Sequence, residues 1–91
     1  MRFTWDEHKA ASNLRKHGVS FEEAVTVFAD PLALIVEDAR HVERSLIVGE
    51  SVAGGILVTV FAEIHEDEIR IISARHATNH ERRRYEDGEE P

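Results

Sequence analysis

A chain of 91 residues with 42% apolar side chains can form one globular domain with a modest core, and it is too apolar for wholesale disorder. The absence of cysteine excludes disulfides, thiolate catalysis and cysteine zinc sites. A formal net charge of -7 opposes generic nucleic-acid binding, which gains from counterion release at a positive surface.

From the N-terminus, Arg2 to Trp5 reads as a short strand. The leading MRFTWDEHKAA has no apolar stretch of the kind a signal peptide needs. No later run approaches the roughly 20 apolar residues of a membrane span. A soluble, cytoplasmic protein with no membrane contact is the expectation. Asp6 is the expected N-cap of a helix from Glu7 to about His17, with Gly18 as its left-handed C-terminal residue. Ala10, Ala11 and Leu14 share the expected inward side. Lys9, Asn13 and Lys16 share the other, either as a solvated stripe or as a phosphate-contacting face. Ser20 and Glu23 fit a capping box for a second helix, from Phe21 to about Ala29, whose buried face is Phe21, Ala24, Val25 and Phe28. Asp30-Pro31 ends it.

The pattern then changes. LALIVED, RSLIVGESV, GILVTVFAEI and DEIRIIS are Val-, Ile- and Leu-rich runs that predict an antiparallel meander of four strands. Gly54 and Gly55 are expected to supply positive φ in the central hairpin turn. In the last strand, Ile69 and Ile71 should face one way, Arg70 and Ile72 the other. Thr78 to Glu81 is a second capping box, opening a helix over Glu81 to about Glu86. The predicted class is α+β, in the order β-α-α-β-β-β-β-α, with helices packed mainly on one face of an antiparallel sheet. Residues 1–86 form the expected domain, and 87–91 an acidic flexible tail. That tail and the segment Glu63 to Glu68 together hold seven carboxylates against no Lys or Arg, which accounts for the whole negative excess. A local basic site is therefore compatible with the acidic total.

No nucleophile elbow, phosphate loop or zinc-protease pattern occurs. His76 and His80 have chelating spacing, but the predicted cap at Thr78 leaves His76 outside the helix, so no metal or other cofactor is expected. RNA cleavage is the chemistry the inventory could most readily support. It needs proton transfer from a 2′-hydroxyl, proton delivery to a leaving 5′-oxygen, and cations for the phosphorane. Histidine, glutamate, lysine and arginine fill those roles without a metal, and arginine grips phosphate through two parallel hydrogen bonds. Composition permits this scheme without selecting it. The commoner fates are a solvated helix for Arg82, Arg83 and Arg84, and a core anchor for Tyr85.

FTWDEHKAASNLRKHGVSFEEAVTVFADP, HVERSLIVGES and IRIISARHATNHERRRYE together resemble the BrnT toxins of bacterial type II toxin–antitoxin systems, from Phe3 to Glu86. The resemblance implies a RelE-like small ribonuclease fold and a metal-independent endoribonuclease that inhibits translation. It also implies a BrnA-like ribbon-helix-helix antitoxin that neutralises the toxin in a hetero-oligomer, with operator DNA bound only through the antitoxin. Motif by motif, Lys9, Asn13, Lys16 and His17 fall on the first helix and its end. Glu43, Arg44, Gly49 and Ser51 fall on the second strand of the meander, Arg70, Ser73 and Arg75 on the last strand, and Glu81, Arg82 and Tyr85 on the final helix.

The catalytic candidates implied are Arg44, Arg75, His17, Glu63 and Lys9, with Lys16, Arg70 and Ser51 as RNA contacts and Arg82, Arg83 and Tyr85 as antitoxin contacts. For Arg44 and Arg75 the alternative is a structural ion pair, with Glu43 or Glu81. Two positions depart from the family pattern: Gly55 and Ile64 stand where arginine is frequent. They motivate a second expectation, a toxin-fold binding module that is catalytically weak or inactive and acts through its antitoxin complex.

Overall fold

The computed structural model describes residues 1–88. Its elements are β1 (Arg2–Thr4), α1 (Glu7–His17), α2 (Phe21–Thr26) continued by a 3-10 turn (Val27–Ala29), β2 (Leu34–Glu37), β3 (Ser45–Glu50), β4 (Ile56–His65), β5 (Glu68–His76) and α3 (Asn79–Asp87). Strands β2 to β5 form the antiparallel meander, and the sheet order is β1-β5-β4-β3-β2. The sheet is mixed rather than purely antiparallel, because β1 lies parallel to β5, with Phe3 opposite Ile69. Alternation in three residues cannot reveal a partner's direction; here Arg2 and the Thr4 hydroxyl both bond Glu68, at 2.7 and 3.0 Å, and help set the parallel register.

Local signals place the helices. The Asp6 carboxylate accepts from the amides of His8 and Lys9, and Gly18 closes α1 at φ 70° with its N–H on Leu14. Those backbone bonds hold the Asp6 carboxyl below its ordinary range. Ser20 caps α2 through the amide of Glu23, but the reciprocal half of the expected box is missing: Glu23 turns its carboxylate to the Ser51 hydroxyl instead, at 2.7 Å. At Thr78 both halves of the box are present. In the β3–β4 turn only Gly54 of the glycine pair has positive φ, at 95°.

Helices lie on both sheet faces. Under α1 and α2, Val19, Phe21, Ala24 and Val27 bury against Ile47, Leu57, Phe61, Ile69, Ile71 and Ala74. Trp5 meets Phe21 edge-on at 5.9 Å, and Phe28 bridges Phe3 and Phe61, each at 5.0 Å. The opposite face carries a smaller cluster of Val48, Ile56 and Val58, packed by Leu46, Ala77 and Tyr85, so α3 covers part of the face opposite α1 and α2. α3 also runs through Asp87 and closes on Gly88 at φ 71°, so the expected tail begins as helix. The rest of that tail, 89–91, lies outside the described residues.

Gly49 allows the close approach that joins these layers. A Cβ there would stand 2.9 Å from Val27 Cγ1, 3.0 Å from Ala33 Cβ and 3.1 Å from Asp30 Oδ2. Asp30 in turn accepts from the amides of Leu32 and Glu50 and from the Tyr85 hydroxyl. Partial burial opposes its charge, but those donors prevail and its carboxyl lies below the ordinary value. Burial first, and then the bond to Asp30, push the Tyr85 phenol up to about 12.

Candidate active site

β1 covers β5 only along Glu68 to Arg70, so the next stretch of β5 is a sheet edge. Asn13 fills that edge with a side chain. Its Oδ1 accepts the Ala74 N–H at 3.1 Å, while Nδ2 donates to the Ala74 carbonyl at 2.8 Å and the Val19 carbonyl at 3.0 Å. Asn13 is therefore buried, on neither a solvated stripe nor a phosphate-contacting face, and the inward side of α1 is rotated from the expected one. Leu14, expected inside, is half exposed. The polar residue wins the inward position because an unpaired β5 edge needs a donor and an acceptor together, which leucine cannot supply.

This stitch presents Lys9, Ser12, Lys16 and His17 to Ile72 and Ser73 around a cleft of about 190 Å³. Lys9, Lys16 and His17 are exposed at its wall. A bulge helps: Val60 pairs with Ser73 and Phe61 with Ile71, so Ile72 is an extra residue and does not continue the simple alternation expected for it. The cleft thus gathers an imidazole, two ammonium groups and two hydroxyls.

The arginines lie elsewhere around the same strand. Arg75 pairs in register with Val58, and Arg70 with Ala62, which places both on the α3 face. Arg44 lies in the β2–β3 loop just before Ser45, two strands from β5. Arg75 is engaged: its guanidinium makes two parallel bonds to Glu81, at 2.8 and 2.9 Å, and a third to the His76 carbonyl at 3.2 Å. The Arg75 bond, ahead of the Thr78 amide, draws the Glu81 carboxyl down to about 2, and Glu81 raises the guanidinium in return. Of the two ion pairs foreseen, Arg75–Glu81 is present; Glu43 instead approaches His41, at 3.9 Å.

Other candidates are separated from the cleft. Glu63 pairs with Ile69 and lines a different notch, with Met1, Phe28 and Ile35. Ser51, expected to contact RNA, is 4% exposed and gives its hydroxyl to Glu23. Tyr85, expected to face an antitoxin, packs on the second core cluster and bonds Asp30. Arg82 and Arg83 are exposed on α3 beside Asn79. Among the described residues, no three His, Asp or Glu side chains converge as metal ligands, and no helix is long and apolar enough to cross a membrane.

A sequence profile described as the ribonuclease toxin BrnT of type II toxin–antitoxin systems matches residues 5–81. The chain belongs to the BrnT ribonuclease toxin family. A crystal structure of the Brucella abortus ribonuclease toxin BrnT superposes with a TM-score of 0.72 at 25% identity, over 87% of this chain and 99% of that one. No curated protein matches this chain.

The geometry of this BrnT family member sorts its motif residues by role. Gly49, Ser51, Glu81 and Tyr85 join layers within the fold. Asn13, expected on a solvated stripe or a phosphate-contacting face, instead fixes α1 on β5. Its signal was a residue of poor helix propensity in mid-helix, three positions after Ala10.

Proposed function

We propose that this BrnT family member cleaves RNA without a metal ion in the cleft between α1 and β5. Its fold is read as a compact RelE-like one. A BrnA-like ribbon-helix-helix antitoxin holds it inactive in a hetero-oligomer and carries operator DNA binding. The reading rests on family membership and on one observation: Lys9, Lys16, His17 and Ser73 share a cleft beside the β5 edge that Asn13 fills.

In this scheme His17 accepts the 2′-hydroxyl proton as that oxygen adds to phosphorus. The P–O5′ bond breaks, and the Lys9 ammonium returns a proton to the departing oxygen. The products are a 2′,3′-cyclic phosphate and a 5′-hydroxyl. Lys16 and the Ser73 hydroxyl hold the phosphate. Arg75, bound by Glu81, acts as a positioning residue for the end of β5.

Purified protein incubated with a model RNA and EDTA should release cyclic-phosphate ends, and His17→Ala should slow this by about 100-fold or more. Intact RNA at high protein excess, or cleavage abolished by EDTA, refutes the proposal. A second reading, a toxin-fold module without useful turnover, is favoured by the engagement of Arg75 with Glu81 and by Gly55, which brings no side chain of its own to His76. It predicts intact RNA together with a stable antitoxin complex.

A further inference from the structure

We infer that the antitoxin seats an apolar side chain, flanked by lysines or arginines, in the notch between β2 and the β4–β5 turn. This rests on the reading that the partner is a DNA-binding antitoxin, since such a protein brings cationic side chains. The notch, about 220 Å³, is floored by Phe28, Phe61 and Ile69 and edged by Ile35 and Met1. It is smaller than the roughly 300–1,000 Å³ that small-molecule sites occupy, and suits an anchoring side chain. Ile35 lies on an edge strand with no bulge or lysine to shield it and is 60% exposed, and Met1 is 79% exposed.

The charge around it is one-sided. Glu63 and Glu66 line the notch, and Glu37 stands two residues along β2 from Ile35, on the same face. None of these three carboxylates has a hydrogen-bond or ion-pair partner among the described residues. Their positive neighbours at the rim are the Met1 amine and His65 when protonated. Apolar floor and negative rim together define the complement: an apolar anchor between cations. The groove beside α3 gives no comparable cue. Its walls are apolar, but its two charged residues, Glu81 and Arg84, already have partners.

The test titrates purified antitoxin into the full chain and three variants: Ile35→Asp, Glu37→Lys/Glu66→Lys, and Arg82→Glu/Arg83→Glu on α3. Thermal melts verify that each is folded; the mutated side chains are exposed. Both notch variants should bind about tenfold more weakly or worse. The lysine pair should also flatten the salt dependence, and the α3 variant should bind as wild type. Notch variants that bind normally, while the α3 variant does not, overturn the inference. Self-association that Ile35→Asp abolishes would put a second copy in the notch and overturn it too. A wild-type chain that fails to bind the antitoxin refutes the partner reading itself.

Discussion

Replacing Asn13 by alanine removes a side chain that serves three backbone groups at once. The Ala74 N–H, the Ala74 carbonyl and the Val19 carbonyl lose their partners in a site that is 6% exposed. An unsatisfied buried group costs about 1–3 kcal/mol, and taking the low end for each gives roughly 3 kcal/mol. That is a large share of the roughly 5–15 kcal/mol that holds a domain folded. It corresponds to a fall in Tm on the order of 12–24 °C for a domain of this size. Urea unfolding followed through Trp5 fluorescence should show an earlier midpoint with an unchanged slope, since the area exposed on unfolding stays the same. Asn13→Asp tests the donor side separately. It keeps an acceptor for the Ala74 N–H but turns a carboxylate oxygen toward two carbonyls. Burial raises that carboxyl in the folded state, so the variant is least stable at neutral pH. It recovers as pH falls through the folded pKa toward the unfolded value, when the acid regains a hydrogen to donate. A cost below about 1 kcal/mol for the alanine variant, or a pH-independent cost for the aspartate one, would refute the edge-filling argument.

Three further outcomes follow from contacts on other elements. Glu81 is held at about 2, below its ordinary 4.5, so its contribution is complete above pH 4.5 and lost as pH falls toward 2. Discounted for the partial exposure of Arg75, it is about 1–2 kcal/mol, and Glu81→Gln should flatten the difference between urea midpoints at pH 6 and pH 3. Thr59 is fully buried, with no partner for its hydroxyl among the described residues, so Thr59→Val should raise stability by about 1 kcal/mol in the same assay; a loss would reveal a hidden partner. Gly49→Ala should cost about 1–3 kcal/mol, because Val27, Ala33 and Asp30 must all give way, and an unchanged Tm would contradict that packing.

The local chemistry of the chain was legible. Asp6, Gly18, Ser20 and Thr78 mark helix ends by side-chain and backbone rules that act within a few residues, and each appears where those rules place it. The meander was legible for the same reason, since β-branched runs separated by short polar breaks leave few other arrangements. What sequence could not give was the long-range partner. Glu23 chose Ser51 over its own helix end, β1 chose β5 in parallel, and Asn13 turned inward to meet Ala74, 61 positions away. These choices depend on which buried backbone group or hydroxyl would otherwise go unpaired, and that is a property of the assembled fold. The same holds for the site: the clustering of Lys9, Lys16 and His17 on one helix is readable from spacing, but their meeting with Ser73 depends on the β5 bulge and the Asn13 stitch.

Both helix layers are tied to β5 through consecutive residues. Asn13 fastens α1 at Ala74, and Arg75 fastens α3 through Glu81. Glu81 also completes the capping box of α3, with its Oε1 accepting the Thr78 amide. Arg75 therefore cannot wrap both parallel bonds around a scissile phosphate while keeping Glu81. Transfer to phosphate would leave the Glu81 carboxylate part-buried without its cation, and would loosen the first turn of α3 that the same carboxylate caps. The cleft lysines carry no such debt: Lys9 and Lys16 are exposed, with no ion-pair partner among the described residues. Phosphate binding there disturbs no contact that holds the fold. In the proposed scheme α1 supplies the chemistry, while Arg75 keeps β5 and α3 in place.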